Sequence, residues 1–143
     1  MPRFGVEVTY VDATDLNAWK NAVRPNTRAF LVESPANPLL EVTAIGAVAE
    51  IAHAAGAKLV VDNVFATPIF QKPLTLGADI VVYSATKHID GQGRVLGGAI
   101  LGNEPLMSES YKDILRHTGP ALSPFNSWVL LKGLETLELR VTR

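Results

Sequence analysis

The sequence predicts an α/β fold with three layers, in which a mostly parallel sheet is covered by helices on both faces. Segments of strand character alternate with segments of helical character, which is typical of a parallel sheet with helical crossovers. Several strand segments are largely apolar, such as KLVV at 58–61 and DIVV at 79–82, as buried parallel strands are. Glu33, Asp62 and Ser84 follow or end such segments. Because ligands collect at the carboxyl ends of parallel strands, we expect these three residues to converge at a binding site.

Five segments are predicted to be strands. The first alternates polar and apolar side chains, as a half-buried strand does, and the others are more uniformly apolar. In chain order the strands are 5–11, 28–33, 58–61, 79–83 and 95–101. The loop SPANPL at 34–39 contains two prolines that exclude regular structure, and Pro68 and Pro73 interrupt 63–77 too often for one long helix.

The predicted helices are recognised by their ends. Asp15, Thr43 and Ser123 are suitable N-cap residues, and Ser123 is followed by proline at the first helical position. Gly56 can end the second helix in the left-handed conformation. The helical segments are 15–23, 43–56, 104–117 and 128–143. A loop is predicted at 118–121, and residues 123–124 mark the start of the helix that includes 128–143. No Gly or Pro stop follows 128–143, so the chain is expected to be a piece of a longer protein.

The segment YSATKHIDGQGRVLGG at 83–98 carries the most informative group of residues. Lys87 follows a buried strand and precedes a glycine-rich turn, with Ser84 and Thr86 three residues and one residue before it. A lysine in this position can form a Schiff base with an aldehyde cofactor that bears a phosphate, and the two hydroxyls can bind the phosphate. Each residue also has an ordinary interpretation, since most lysines are surface charges and hydroxyls are common at strand ends.

Asp62 supports the same chemistry from the end of the preceding strand. It lies 25 residues before Lys87, and a carboxylate facing the ring nitrogen is the other protein group that pyridoxal phosphate (PLP) requires. The opposite charge would keep that nitrogen protonated, which makes the ring a better electron sink. The ordinary interpretation is that Asp62 caps the turn after its strand. Asn37, beside a proline, could likewise be only a turn residue.

Composition excludes several other classes of protein. The 143 residues are 48% hydrophobic, which is sufficient for a folded core, and the net charge of −1 comes from well-mixed basic and acidic residues. There is no basic stripe for nucleic acid, no cysteine for disulfides or thiolate metal sites, and no histidine spacing that indicates a metal. No apolar run is long enough to span a membrane, and the N-terminus lacks a signal-peptide core. A cytoplasmic location is the expectation.

Taken together, these segments resemble the Cys/Met-metabolism (transsulfuration) family of PLP enzymes, whose large domain is of the aspartate aminotransferase type (fold type I). The matching stretches are ESPANP at 33–38, VVDN at 60–63, SATKHIDGQGRVLGG at 84–98 and TGPALSPFNSWVLLKGLETL at 118–137. Within the family, the stretch at 84–98 and the SPFNSW segment at 123–128 are most similar to the O-succinylhomoserine sulfhydrylases. The resemblance implies that 1–143 is a partial PLP-binding large domain, without its N-terminal part and without the C-terminal small domain.

The resemblance also assigns roles to the matched residues. It implies that Lys87 is the Schiff-base lysine, that Asp62 binds the pyridinium nitrogen and that Ser84 and Thr86 hold the phosphate. Asn37 is implied to hydrogen-bond the 3-oxygen of the ring. The implied reaction is γ-replacement, in which O-succinylhomoserine and sulfide (or another thiol) give homocysteine and succinate, as in methionine biosynthesis. Family members form homotetramers that are dimers of dimers, whereas the isolated fragment is expected to be largely inactive.

Three alternatives remain open from the sequence. The first is another activity of the same family: cystathionine γ-synthase, cystathionine or methionine γ-lyase, or O-acetylhomoserine sulfhydrylase. The second is a non-catalytic α/β domain that binds a phosphate or nucleotide; against it, the GxGxxG pattern that begins at Gly91 fails at Leu96 and no P-loop is present. The third is a partly folded remnant that binds nothing, since a sheet without its neighbours exposes unpaired edges.

Overall fold

The chain folds around a sheet of four strands with parallel and antiparallel parts. The computed structural model describes residues 2–143, apart from the side chains of Pro2, Glu109 and Ser110. The strands are β1 (Ala29–Glu33), β2 (Lys58–Asp62), β3 (Ile80–Ser84) and β4 (Gly98–Gly102), in the spatial order β1-β2-β3-β4. The first three are parallel and β4 is antiparallel to β3. The predicted α/β class with a mostly parallel sheet is therefore confirmed.

In residues 2–143, six α-helices and three other helical segments connect and flank the strands. The α-helices are α1 (Leu16–Ala22), α2 (Ile45–Ala54), α3 (Thr67–Phe70), α4 (Lys112–Thr118), α5 (Pro124–Leu134) and α6 (Leu137–Val141). The other segments are 3-10 turns at Pro2–Phe4 and Pro73–Leu76 and a π-helical segment at Leu106–Tyr111. Among the residues described, no helix has the length and apolar character that crossing a membrane requires.

One face of the sheet packs on α1 and α2 to form the core. Alternate residues of the three parallel strands point to this face, because side chains along a strand alternate in direction. The core includes the stacked rings of Trp19 and Phe30, whose centroids are 5.2 Å apart. On the opposite face Leu31 is 67% exposed, so the two faces are covered unequally in this chain.

Several predicted helix ends are confirmed. Asp15 accepts a hydrogen bond from the Asn17 N–H (2.8 Å), and Ser123 accepts one from the Asn126 N–H (3.1 Å) with Pro124 following. Gly56 has the predicted left-handed conformation, at φ +67°. The segment 63–77 is broken into two short helices, as its prolines require.

The predicted strand at 5–11 is wrong. In the structure these residues form a turn at Gly5 and an irregular segment outside the sheet, and Val6, Val8 and Tyr10 are all exposed. Alternation is compatible with a strand, but a strand forms only where a neighbour supplies hydrogen bonds to its backbone. Within the described residues the sheet begins at Ala29.

The predicted cap at Thr43 is also wrong. Helix α2 begins later, after Ala44, whose carbonyl accepts the first intrahelical bond from Val48 (3.1 Å). The Thr43 N–H instead donates to the Ser34 hydroxyl at 3.0 Å. This bond fixes Thr43 in the loop before the helix, where its own hydroxyl is buried without a hydrogen-bond partner among the described residues.

The C-terminal helical segment 128–143 differs from the prediction in one respect. It is interrupted at Glu135 and Thr136, so that α5 and α6 are separate helices joined by a short turn. The predicted 104–117 helix is present, with its first half in the wider π-helical form.

Candidate active site

The candidate site is a cavity at the carboxyl ends of the parallel strands. Glu33 and Asp62 are direct neighbours in the register of β1 and β2, and Ser84 ends β3 two residues beyond the register partner of Asp62. The predicted convergence of these three residues at one edge of the sheet is therefore confirmed. The cavity has a volume of about 750 Å³. It is lined by Glu33, Asn37, Val64, Phe65, Ser84, Lys87, His88, Gly91, Arg140 and Val141.

Lys87 lies in a turn that begins at the end of β3. Its N–H donates to the Ser84 carbonyl (3.1 Å), and its own carbonyl accepts from the Gly91 N–H (2.7 Å). Gly91 has a φ of +72°, in the left-handed region, which glycine adopts without strain. The turn therefore places the exposed Lys87 side chain and the Ser84 side chain on the same cavity.

Asn37 reaches the cavity from the loop that follows β1. Its backbone N–H donates to the Glu33 carboxylate at 3.3 Å, and the loop contains two cis peptide bonds, at Ser34–Pro35 and Asn37–Pro38. The structure thus brings Asn37 to the same cavity as Ser84 and Lys87, which lie in a distant part of the sequence.

Asp62 and Thr86 are held by local bonds and are not among the residues that line the cavity in the described part of the chain. Asp62 Oδ1 accepts from the Val64 N–H at 3.0 Å, which is the turn-capping role also considered for it. The Thr86 hydroxyl accepts from the Gly97 N–H (3.0 Å) and donates to the Gly97 carbonyl (3.3 Å). To bind a phosphate, Thr86 must redirect its proton from that carbonyl.

A buried polar network lies directly behind the site. Asn63 is fully buried, and its Nδ2 donates to the Tyr83 hydroxyl (2.8 Å) and to the carbonyls of Gln71 (2.9 Å) and Thr67 (3.1 Å). Gln71 Nε2 donates to Asn63 Oδ1 (2.7 Å) and to the Ser34 carbonyl (2.8 Å). Burial raises the pKa of the Tyr83 phenol, although its bond with Asn63 acts in the other direction. The phenol therefore stays protonated near neutral pH.

The network is adjacent in the chain to each polar strand end. Ser34 follows Glu33, Asn63 follows Asp62, and Tyr83 precedes Ser84. Its bonds therefore connect the ends of β1, β2 and β3, immediately beside the three residues that end these strands at one edge of the sheet. Asn63 was part of the VVDN motif, but no spacing in the sequence indicated that Gln71 would join it.

A second buried group supports the turn after Lys87. Asp90 is fully buried, and its carboxylate accepts from the Arg94 N–H (2.6 Å) and from Arg94 Nε (2.8 Å). Burial disfavours the charge of Asp90, but the hydrogen bonds and positive charge of Arg94 hold the pKa of this carboxyl below its ordinary value. Asp90 thus remains ionised and anchors the turn.

The residues of this cavity fit a phosphate-bearing aldehyde cofactor. An amine, a hydroxyl and a side-chain amide border one space, and the Asp62 carboxylate ends the neighbouring strand. No group of three or more His, Asp or Glu residues in the described part of the chain could hold a metal ion. No pattern in the sequence indicated that Arg140, Phe65 and Val141 would line this cavity, because they come from segments whose approach depends on the fold.

The profile of the family described as "Cys/Met metabolism PLP-dependent enzyme" matches residues 1–143. The chain belongs to this family. Its resemblance to the Cys/Met-metabolism enzymes, expected from four sequence motifs, is therefore confirmed, and so is the dependence of the family on PLP.

Curated relatives in this family have several activities. The chain is 57% identical over 141 residues to an O-succinylhomoserine sulfhydrylase of Mycobacterium tuberculosis (strain H37Rv), covering 99% of this chain and 35% of the relative. It is 58% identical over 139 residues to a Pseudomonas aeruginosa protein of the same name, with 97% and 34% covered. A cystathionine γ-lyase of Bacillus subtilis is 45% identical, with 97% and 37% covered. The chain spans about a third of the length of these relatives.

Solved structures of Cys/Met-metabolism enzymes have the same fold over this region. The cystathionine γ-lyase of Lactobacillus plantarum, crystallised with L-serine, superposes with a TM-score of 0.94 at 40% identity, covering 96% of this chain and 36% of that one. An apo methionine γ-lyase from Micromonospora echinospora gives a TM-score of 0.93 at 37% identity, with 96% and 38% covered.

Proposed function

We propose that this chain forms the cofactor-attachment part of a PLP-dependent sulfhydrylase that acts on O-succinylhomoserine. The observation that carries the proposal is the greater identity to O-succinylhomoserine sulfhydrylases, 57–58%, than to the B. subtilis cystathionine γ-lyase, 45%. The cavity bordered by Lys87, Ser84 and Asn37 supports the cofactor assignment.

Each polar residue has a role in this proposal. When bound, PLP supplies an electron sink for negative charge at the α carbon of an amino acid. Lys87 attaches the cofactor and afterwards moves protons at the substrate through its amine nitrogen. Ser84 and Thr86 bind the phosphate, and the Asp62 carboxylate balances the positive charge of the ring nitrogen. Asn37 donates a hydrogen bond to the 3-oxygen of the ring.

The net reaction is an exchange at the γ carbon. The bond between this carbon and the succinyl oxygen breaks, and succinate leaves with the bonding electrons. Sulfide forms the new carbon–sulfur bond, which gives homocysteine. A γ-lyase reaction differs in that no sulfide is consumed. Identity alone favours replacement over elimination here, so the choice requires a measurement of sulfide consumption.

The cofactor role is tested by incubating the chain with PLP, recording the visible spectrum and reducing with borohydride before peptide mass spectrometry. We expect a visible absorbance band that reduction removes, with the pyridoxyl group on Lys87. Lys87→Ala should abolish the band, whereas Lys72→Ala, a change at another exposed lysine, should leave it unchanged. An adduct scattered over surface lysines, or no band at all, would contradict the proposal. A non-catalytic nucleotide-binding domain would also show no band.

The substrate assignment is tested in a chimera, because the chain is about a third of the length of its relatives. The chain replaces the matching 141 residues of the M. tuberculosis sulfhydrylase. We expect the chimera to form homocysteine from O-succinylhomoserine only when sulfide is present. A folded chimera that loads PLP but releases ammonia and a keto acid without consuming sulfide would overturn the assignment to replacement.

A further inference from the structure

The turn that carries Lys87 is held by an arginine from the last helix of the chain. Arg140 Nη1 donates to the His88 carbonyl (2.8 Å), and Nη2 donates to the carbonyls of Ile89 (3.3 Å) and Gly133 (2.8 Å). Its Nε donates to the Thr136 hydroxyl (3.1 Å). A guanidinium has five N–H groups in a planar fork, so these four bonds occupy most of its capacity. They connect α6 and the end of α5 to the two residues that directly follow Lys87.

Two glycines make this close approach possible. A Cβ atom at Gly133 would lie 2.2 Å from the Ile89 carbonyl oxygen. A Cβ atom at Gly91 would lie 2.0 Å from Arg140 Nη1. Both distances are shorter than any van der Waals contact. A larger residue at Gly133 would push α5 away from the backbone of the turn, whereas a larger residue at Gly91 would displace the Arg140 guanidinium from its carbonyl partners.

The hydrogen bonds within the turn use other carbonyls than the two that Arg140 binds. The Asp90 N–H donates to the Ala85 carbonyl (2.9 Å) and the Gly91 N–H donates to the Lys87 carbonyl (2.7 Å). The carbonyls of His88 and Ile89 are the next two acceptors along the turn, and both accept from Arg140. The ion pair between the buried Asp90 and the exposed Arg94 holds the other end of the turn. The turn is thus fixed from both ends.

We propose that Arg140 is a positioning residue, which holds the Lys87 turn so that the lysine amine faces the cofactor aldehyde. The inference rests on the cofactor role proposed for Lys87. Covalent capture requires the amine within a narrow range of positions, and a turn free to rotate would spend less time there. Arg140 acts on Lys87 through the backbone of His88 and Ile89.

A different role for Arg140 has to be separated from this one. Its side chain also borders the cavity, so its charge alone could attract the phosphate. Arg140→Lys distinguishes the two roles, because it keeps the positive charge but replaces the planar fork by a single nitrogen that cannot span three carbonyls. A positioning role predicts that Arg140→Lys behaves like Arg140→Ala.

The test compares wild type, Arg140→Ala, Arg140→Lys and the control Arg143→Ala, which removes the same charge from an exposed residue three positions later. Amide hydrogen exchange is measured for the turn and, separately, for β2 and β3. The fraction of PLP trapped on Lys87, relative to all other lysines, is measured after borohydride reduction. The β2 and β3 amides report whether each variant is folded.

We expect Arg140→Ala and Arg140→Lys to exchange amides of the turn about tenfold faster or more, because bonds to a charged donor are lost, with β2 and β3 protected as in wild type. The fraction of adduct on Lys87 should fall several-fold in both variants and stay unchanged in Arg143→Ala. The proposal is overturned if Arg140→Lys captures PLP like wild type. It is also overturned if the amides of the turn exchange faster but the fraction of adduct on Lys87 does not fall, or if β2 and β3 lose protection together with the turn.

Failure of the cofactor proposal would be recognised separately. In that case no adduct forms on Lys87, either in wild type or in the two variants at residue 140. Exchange then decides the remaining question, since protection of the turn that depends on Arg140 supports the positioning role and equal protection in all four proteins overturns it.

Discussion

Asn63 shows how a single side chain can organise an edge of the sheet. Its amide bonds to Tyr83 and to backbone carbonyls on α3 and just beyond it, and Gln71 extends the connection to Ser34. Buried polar groups are costly unless they are paired, and every bond in this network lies beside a residue of the candidate site. The network therefore stabilises the fold and fixes the strand ends at the same time.

This network makes a prediction about two substitutions of different severity. Tyr83→Phe removes one of three acceptors of Asn63 Nδ2 and should lower the free energy of unfolding by about 1 kcal/mol. Asn63→Ala removes the donor of two carbonyls and the acceptor of Gln71, and should cost about 2–3 kcal/mol or more. Urea unfolding measures both values. Equal costs, or a larger cost for Tyr83→Phe, would mean that the network does not act through Asn63.

At the scale of elements, the packing of α5 on the Lys87 turn depends on the absence of one methyl group. Gly133 lies in α5 directly against the Ile89 carbonyl. Glycine is an unfavourable helix residue, so its presence there is explained by contact and not by helix propensity. Gly46 in α2 is different. A Cβ atom added there would lie 3.7 Å from its nearest neighbour, the Leu76 carbonyl oxygen, which is an ordinary contact.

The two glycines therefore predict opposite effects of the same change. Gly133→Ala should lower the free energy of unfolding by about 1–3 kcal/mol, because the added carbon overlaps the turn. Gly46→Ala should be neutral or stabilise the chain by up to about 1 kcal/mol through helix propensity. Urea unfolding of the two variants is the measurement, and a stabilising Gly133→Ala would refute the close contact of α5 with the turn.

At the scale of the whole molecule, the chain exposes apolar surface in several places. Strand β1 pairs only with β2 in the described sheet, and its Leu31 is 67% exposed. On α5, Phe125 and Trp128 are 66% and 54% exposed, with their ring centroids 6.0 Å apart. An unpaired strand edge and exposed apolar patches are the features that lead to association.

We therefore expect the isolated chain to self-associate at micromolar concentrations and to show little or no turnover. Sedimentation velocity at increasing concentration measures the association. Leu31→Lys places a charge on the exposed edge strand and should reduce association, more than Leu139→Lys, which changes a 54% exposed leucine on α6. A chain that stays monomeric over this range, or that forms homocysteine readily by itself, would contradict this expectation.

The amino-acid sequence by itself determined the fold class, the family and the chain positions of the candidate residues. These features depend on patterns within short segments, such as the apolar strands that end in Asp62 and Ser84 and the SATKHIDGQG motif around Lys87. Helix caps at Asp15 and Ser123 were also predictable, because a cap bonds to a backbone N–H only two or three residues away.

Only the tertiary structure decided which distant segments come together. It placed Arg140 on the turn after Lys87, 51 and 52 residues away from the carbonyls that it binds, and it connected Gln71 to Ser34 across 37 residues. In the structure, residues 5–11 lie outside the sheet, and Thr43 bonds to Ser34 in the loop before α2. In each case the outcome depends on a bonding partner from another part of the chain, and local spacing contains no information about that partner.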